Sequence, residues 1–179
     1  MTLQNVWFGS FDVGNSKNLT LLIDTGSSDV IVSPGLYKGG PHSVDTSSTF
    51  ANTYGTTEST LYNDTVKFGF VTAYQTIGSV QPDANVEALI PADGIVGFAG
   101  LEVSSFHGAP PFFHSLCEQG EMSPCRFSIT LGNTEKGTLL LGALDQALFM
   151  GDLSTTSIIQ EWALYADIAL NGKISRRMR

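Results

Sequence analysis

Three apolar residues, Leu21-Leu22-Ile23, run directly into Asp24, and Thr25-Gly26-Ser27-Ser28 follow at once. No other stretch limits the fold as tightly. An apolar run of this length reads as a buried strand, and the small polar cluster after it reads as a sharp turn. The pattern sets one carboxylate at the end of a buried strand, where solvation is poor and proton affinity can be moved. Gly26 lets the backbone pass close to another backbone or a ligand. Thr25 and Ser27 bring hydroxyls that can hydrogen-bond a neighbour or the carboxylate. Read alone, Asp-Thr-Gly is equally a strand-to-loop turn with a capping Asp, so the rest of the chain has to decide.

The rest of the chain reads as mostly β with one or two short helices. Residues 6–13 mix aromatic and β-branched residues before the turn signal Gly14-Asn15-Ser16, and 19–23 make the return strand into Asp24. Residues 29–32 form a short strand closed by Ser33-Pro34-Gly35, and the polar stretch 35–49 is expected to be a surface loop. A long hairpin is expected over 50–78, going out through Phe50–Tyr54, turning at Gly55–Ser59 and returning in strands from Leu61 to Ile77. A further strand is expected within 86–98. Phe112 to Gln119 has helical spacing and stops at Gly120, a good helix terminator. Residues 126–131 and 137–142 flank a turn, and 155–170 hold two more strand candidates.

Composition narrows the function. The 179 residues suffice for one good-sized domain or two small ones. With 42% hydrophobic and 15% charged residues the chain can build a core. No run approaches the roughly 18 apolar residues that would span a membrane. Four of the nine basic residues, Lys173, Arg176, Arg177 and Arg179, fall in the last seven positions, leaving residues 1–172 with five basic against 17 acidic groups, a net of −12. Such a surface repels nucleic acid and anionic membranes. It suits work at low pH, where protonated carboxylates no longer repel one another, and equally serves plain solubility. Cys117 and Cys125 are either a local disulfide, with Pro124 helping to turn the chain back, or two buried thiols. His42, His107 and His114 form no metal-ligand set, and no phosphate loop, Ser/His/Asp triad or cofactor motif is present. The first residues lack the basic and apolar regions of a signal peptide. Asn18-Leu19-Thr20 and Asn63-Asp64-Thr65 are N-glycosylation triplets, which matter only in a secreted protein.

Asp24-Thr25-Gly26-Ser27-Ser28, Tyr54-Gly55-Thr56, Asp93-Gly94-Ile95-Val96-Gly97, Phe127-Ser128-Ile129 and Leu141-Gly142-Ala143-Leu144-Asp145 occur in that order. In order and spacing this set resembles the amino-terminal lobe of the pepsin-like aspartic proteases, over roughly residues 5–172. The resemblance implies a single lobe of the family's bilobal β-barrel fold. It implies that Asp24 is one of two catalytic aspartates, that Thr25 and Gly26 lock the active-site loops of the two lobes together, and that Ser27 bonds the aspartate. Tyr54, Gly55 and Thr56 would be the flap that closes over the peptide. Asp93–Gly97 would be the strand threaded beside the Asp24 loop, with Leu22 and Ile95 near a substrate side-chain pocket. The implied substrate is an extended peptide or protein cut between hydrophobic residues, in a secreted or acidic vacuolar setting and without a cofactor.

The sequence also departs from the family. A pepsin-like enzyme carries a second Asp-Thr/Ser-Gly in its other lobe, and this chain holds one only. Asp45-Thr46-Ser47 lacks the Gly and an apolar lead-in. Residues 1–172 are therefore expected to be the lobe, and 173–179 an atypical basic tail of the kind a truncated product carries. Ile31 stands where the family has a Trp that hydrogen-bonds the flap Tyr, and the flap tip at Thr57-Glu58 is short. Three readings follow: half of an acid endopeptidase that needs the carboxy-terminal lobe, a non-cleaving single lobe that binds peptides, and a homodimer in which two Asp24 residues meet.

Overall fold

The computed structural model describes residues 6–51, 58–82, 92–106, 108–132, 137–159, 162–164, 166–170 and 173–178. They divide into two compact units, residues 1–144 and 145–179.

The first unit starts as the alternating sequence dictates. β1 (Phe8–Val13) and β2 (Ser16–Asp24) pair antiparallel, Phe8 opposite Leu22 and Phe11 opposite Leu19. The turn needs glycine at Gly14, whose φ is 56° and where an added Cβ would meet the Asp64 carboxylate and the Lys38 carbonyl. β3 (Val30–Val32) follows the Asp24 turn, and β4 (Val44–Ala51), β5 (Glu58–Phe68) and β6 (Val71–Val80) form a meander. β7 (Gly94–Gly97) inserts between β2 and β3, giving the order β1-β2-β7-β3-β6-β5-β4. β1 also pairs with β5, so six strands close on themselves and β4 is left as an outer flank. Closure removes the exposed edges of an open sheet. The first unit is thus a mostly β, barrel-like lobe.

Burial follows the period-two alternation. Phe11, Val13, Leu21, Val30, Val32, Val66, Ala73, Ile77 and Val96 point into one continuous core. α1 (Phe112–Glu118) buries Phe112, Ser115 and Leu116, and the Phe112 ring meets Phe11 and Phe98 edge-on at centroid distances of 5.9 and 6.0 Å. The helix ends at Gln119 and Gly120, the latter at φ 76°. Gln119 then stands in for a missing strand, accepting from the Tyr74 amide at 2.9 Å and donating to the Tyr74 carbonyl at 2.6 Å. Cys117 and Cys125 form a disulfide that ties the helix to the following turn. β8 (Phe127–Leu131) and β9 (Gly137–Leu141) pair antiparallel.

In the second unit Asp145 accepts from the Ala147 amide at 2.9 Å and starts a single 3-10 turn, Gln146–Leu148. β10 (Ala166–Leu170) and β11 (Lys173–Met178) pair antiparallel.

Three local expectations change. Residues 44–49 were expected in a loop but belong to β4, because β5 supplies a partner whose backbone pairing outweighs the low strand preference of a Ser/Thr/Asp-rich stretch. Glu58 and Ser59, expected at a hairpin tip, begin β5. Residues 155–170 were expected to hold two strands. Among the described residues β10 is the one strand there, and its partner is the basic segment 173–178. The rest of that tip, 55–57, and the end of the expected outgoing strand, 52–54, lie outside the described residues.

Candidate active site

β2 delivers Asp24 as its last residue, and the turn that follows folds back onto its carboxylate. The Gly26 amide donates to Asp24 Oδ1 at 3.0 Å, and the Ser27 hydroxyl donates to Oδ2 at 2.7 Å. Each oxygen is therefore held by a residue two or three places downstream, which fixes the carboxylate plane. Asp24, Thr25 and Ser27 are half-buried, while Gly26 is exposed. Among the described residues the site is a partly exposed ledge at the end of β2.

β7 secures the loop from the other side. It runs parallel to β2, Leu21 opposite Gly94 and Asp24 opposite Gly97, and antiparallel to β3. Beyond its end the Phe98 amide donates to the Asp24 carbonyl at 2.7 Å and the Ala99 amide to the Ser27 carbonyl at 2.9 Å. The Gly97 amide reaches the Asp29 carbonyl at 3.0 Å. This threading requires a residue without a side chain. A Cβ on Gly97 would lie 2.5 Å from the Ser27 carbonyl oxygen and equally close to the Ser28 backbone. A Cβ on Gly26 would meet only Asp24 Oδ1, at 3.4 Å, an ordinary contact. Gly94, at the start of β7, is as crowded, since its Cβ would meet the Ile31 carbonyl, so the close backbone approaches fall to the two ends of β7 and the space over Gly26 is open.

Leu22 and Ile95 are register partners on neighbouring strands, and Ile31 lies opposite Ile95 on the next. Asp24, two residues from Leu22, shares their outer face of the sheet. All four are half-buried, so a short apolar row leads up to the carboxylate. The structure therefore brings together Asp24, Gly26, Ser27, Leu22 and Ile95. Tyr54, Gly55 and Thr56 lie outside the described residues. Asp45-Thr46-Ser47 sits on an exposed bulge of β4, where Asp45 accepts from the Ser47 amide at 2.7 Å, a local turn with no threaded strand.

Asp29 and Asp93 brace the elements around the site, and Asp64 anchors a separate loop. Asp29 accepts from the Ser104 hydroxyl at 2.8 Å and the Ser105 amide at 2.9 Å, tying the segment after β7 to the end of the Asp24 loop. Asp93 accepts from the Thr20 amide at 2.7 Å and aligns β7 on β2. Asp64 is fully buried and accepts from the Tyr37 hydroxyl at 2.8 Å, the Gly40 amide at 2.8 Å and the Thr65 amide at 2.7 Å. Burial pushes the Tyr37 phenol above its ordinary range, with Asp64 adding to the effect. The signal that could have marked Asp64 is its place in the alternation, a charged residue two positions before the core residue Val66 and so on its core-facing side.

A closed β-barrel whose one Asp-Thr-Gly loop is bracketed by a parallel strand defines a lobe of the pepsin-like aspartic-protease class. The chain belongs to the eukaryotic aspartyl protease family, whose model matches residues 6–175. It is 30% identical to pepsin A of Rhinolophus ferrumequinum over 94% of its length and 49% of that protein. It is 31% identical to pepsin A of Sus scrofa over 96% of its length and 50% of that protein. It is 31% identical to secreted aspartyl protease 1 of Malassezia globosa over 94% of its length and 44% of that protein. The chain spans about half the length of the curated relatives it matches, and the match falls on their amino-terminal half.

Proposed function

We propose that this chain is the part of an aspartic endopeptidase that carries one of its two catalytic aspartates, Asp24. The observation that supports this most is the carboxylate on its ledge, held on both oxygens by Gly26 and Ser27 and braced from behind by β7. In aspartic proteases generally, two such carboxylates about 3 Å apart cannot both ionise and share one proton. The ionised member takes a proton from a water between them, the water oxygen attacks the scissile carbonyl, and the protonated member polarises that carbonyl's oxygen. The titration belongs to the pair. Asp24 supplies one member, and the other comes from a carboxy-terminal lobe or a second copy of the chain.

The roles of the neighbours follow. Ser27 and Gly26 hold Asp24 ready before the substrate arrives, so no reorganisation is needed in the transition state. Thr25 and exposed Gly26 meet the corresponding loop of the partner lobe, and the open space over Gly26 accommodates that approach. Leu22 and Ile95 contribute to an apolar pocket for a substrate side chain. The family resemblance assigns Tyr54, Gly55 and Thr56 the role of the flap over an extended peptide. The acidic surface and the secreted Malassezia relative favour work outside the cell or in an acidic vacuolar compartment.

The test is pepstatin-sensitive cleavage of a denatured protein substrate across the acid range, with oligomeric state recorded in parallel. Cleavage by a dimer that Asp24→Asn abolishes supports a dyad made from two copies. Cleavage only after a carboxy-terminal lobe is supplied supports the half-enzyme. Full activity in Asp24→Asn removes Asp24 from the chemistry.

One observation favours a second reading, a lobe that binds peptides without cutting them. Ile31 stands where the family's flap-supporting Trp is found, and Ile offers no hydrogen-bond donor. Ile31→Trp in an active two-lobed form should raise kcat/KM if flap support limits the rate. No change would clear Ile31.

A further inference from the structure

The geometry points to Asn18, and not Asn63, as an N-glycan acceptor of this chain. The two triplets look alike in sequence, and the fold separates them.

Asn18 occupies the irregular end of the β1–β2 pair, where the register shifts between Phe11 and Val13. Its φ is 55°, a left-handed conformation that Asn tolerates better than most residues. Asp12 holds it there, accepting from the Asn18 amide at 3.0 Å while its other oxygen meets Lys17 Nζ at 3.3 Å. The side-chain amide of Asn18 is exposed and makes no hydrogen bond with the described residues. Leu19 is buried in the core, so Asn18 and Thr20 stand together on the outer face, as strand alternation requires. Thr20 is exposed too. On the other side of β2, β7 pairs only from Leu21 onward, so no described strand covers residue 18. A bulky, hydrated substituent on Asn18 Nδ2 would project into solvent without displacing a core contact.

Asn63 lies in the middle of β5, opposite Val44 of β4 on one side and Thr76 of β6 on the other. It is half-buried, and its Oδ1 accepts from the Thr76 hydroxyl at 2.8 Å. The next residue of its triplet is the buried Asp64, and Thr65 is held by that carboxylate through its amide. The Thr76 bond fixes the Asn63 amide in this half-buried place, with paired strands on both sides, so an oligosaccharide on its Nδ2 has far less room than one on Asn18.

The modification itself is a group transfer. Asn18 Nδ2 forms a bond to the anomeric carbon of an oligosaccharide carried on a polyprenyl pyrophosphate. The carbon–oxygen bond to the pyrophosphate breaks, the lipid pyrophosphate leaves with the bonding electrons, and Nδ2 gives up one proton to the transferase. The added bulk would shield the β1–β2 bulge, on a lobe whose active-site ledge lies at the opposite end of β2.

The experiment fuses a cleavable secretory leader to the full chain and expresses it in a eukaryotic host, so the outcome does not depend on the chain's natural destination or on its protease activity. The secreted protein is treated with peptide N-glycosidase, which converts a glycosylated Asn to Asp. The expected result is a single mobility step on treatment, with the converted residue mapped to position 18. Asn18→Gln should lose the step, as should Thr20→Ala, which leaves Asn18 in place. Asn63→Gln should keep it. A step that survives in Thr20→Ala, conversion mapped to position 63, or no conversion at position 18 in the secreted wild-type chain would each overturn the assignment.

Discussion

Asp24-Thr25 and Asp64-Thr65 are two Asp-Thr pairs in one barrel, and the fold puts them to opposite uses. Asp24 closes a strand at a ledge, where two nearby donors hold it and one side is left open. Asp64 sits inside β5 with no exposure and gathers Tyr37, Gly40 and Thr65 around itself. The dipeptide is the same, but the strand position differs. A carboxylate at a strand end can keep a vacancy for substrate. One at a core-facing position must have its acceptor capacity filled by the protein, because a buried charge without partners is unstable. Gly14 and Gly40 show how tightly this second site is filled, since a Cβ on Gly40 would stand 3.0 Å from Asp64 Oδ1. The loop over residues 37–43, polar enough to look unstructured in sequence, is anchored there.

The contrast predicts that the two aspartates fail in different ways. In a two-lobed active form, Asp24→Asn should cut kcat by at least about 10³-fold, within the range for removal of a positioned acid or base, while thermal unfolding moves little. A large loss of stability instead would mean that Asp24 is a structural turn residue. Asp64→Ala should do the reverse. Three donors lose their acceptor, and the expected cost is about 3 kcal/mol, read as a lower denaturation midpoint, with activity kept in the fraction that stays folded. Unchanged stability would remove the distinction between the two sites.

A finer test uses Tyr37. Its phenol is raised above its ordinary value of 10.0 in the folded state by burial first and by Asp64. The folded protein therefore holds a proton that the unfolded chain releases. This stabilisation is complete below the unfolded value and is lost as pH rises from there through the folded value. Unfolding should become easier from about pH 10 upward. Tyr37→Phe should remove that alkaline slope and cost about 1 kcal/mol at neutral pH through the donor lost to Asp64. A slope that persists would place the alkaline weakness elsewhere.

The smallest expected effect concerns Asp12, whose carboxyl is held below its ordinary value of 3.8 chiefly by the Asn18 amide, with Lys17 helping. A depressed acid contributes stability above its unfolded value and loses it as pH falls through the folded one. Asp12→Asn should therefore flatten the acid limb of the stability profile slightly, by less than about 1 kcal/mol for so exposed a pair. A larger change would show that the β1–β2 bulge carries more of the fold than its contacts indicate.

Much of this protein was legible without coordinates, for definable reasons. The alternation in 6–24, the β-branched content of 61–77 and the apolar spacing of 112–119 report local preferences and one-sided burial, both written in neighbouring residues. The Asp24 loop was legible because its partners, Gly26 and Ser27, are two and three residues away. β4 was misread because its Ser/Thr/Asp-rich sequence has weak strand preference, and only pairing with β5 makes it a strand. The split of 155–170 failed for the same reason, since the partner of β10 is a basic segment without strand-like alternation. In each case the deciding hydrogen bonds come from a separate segment of chain.

The chain's order of residues accordingly established a mostly β lobe with one acidic loop at a strand end, and an acidic body with four basic residues in its last seven positions. Tertiary structure decided that β7 threads between β2 and β3, that Gly94 and Gly97 and not Gly26 are where backbones crowd, and that Asp64 is fully buried while Asp24 is only half-buried. It also told apart two glycosylation triplets that read alike. Local pattern specifies which face a side chain takes. What stands against that face depends on chain segments as far apart as Thr20 and Asp93, whose meeting no short stretch of sequence encodes.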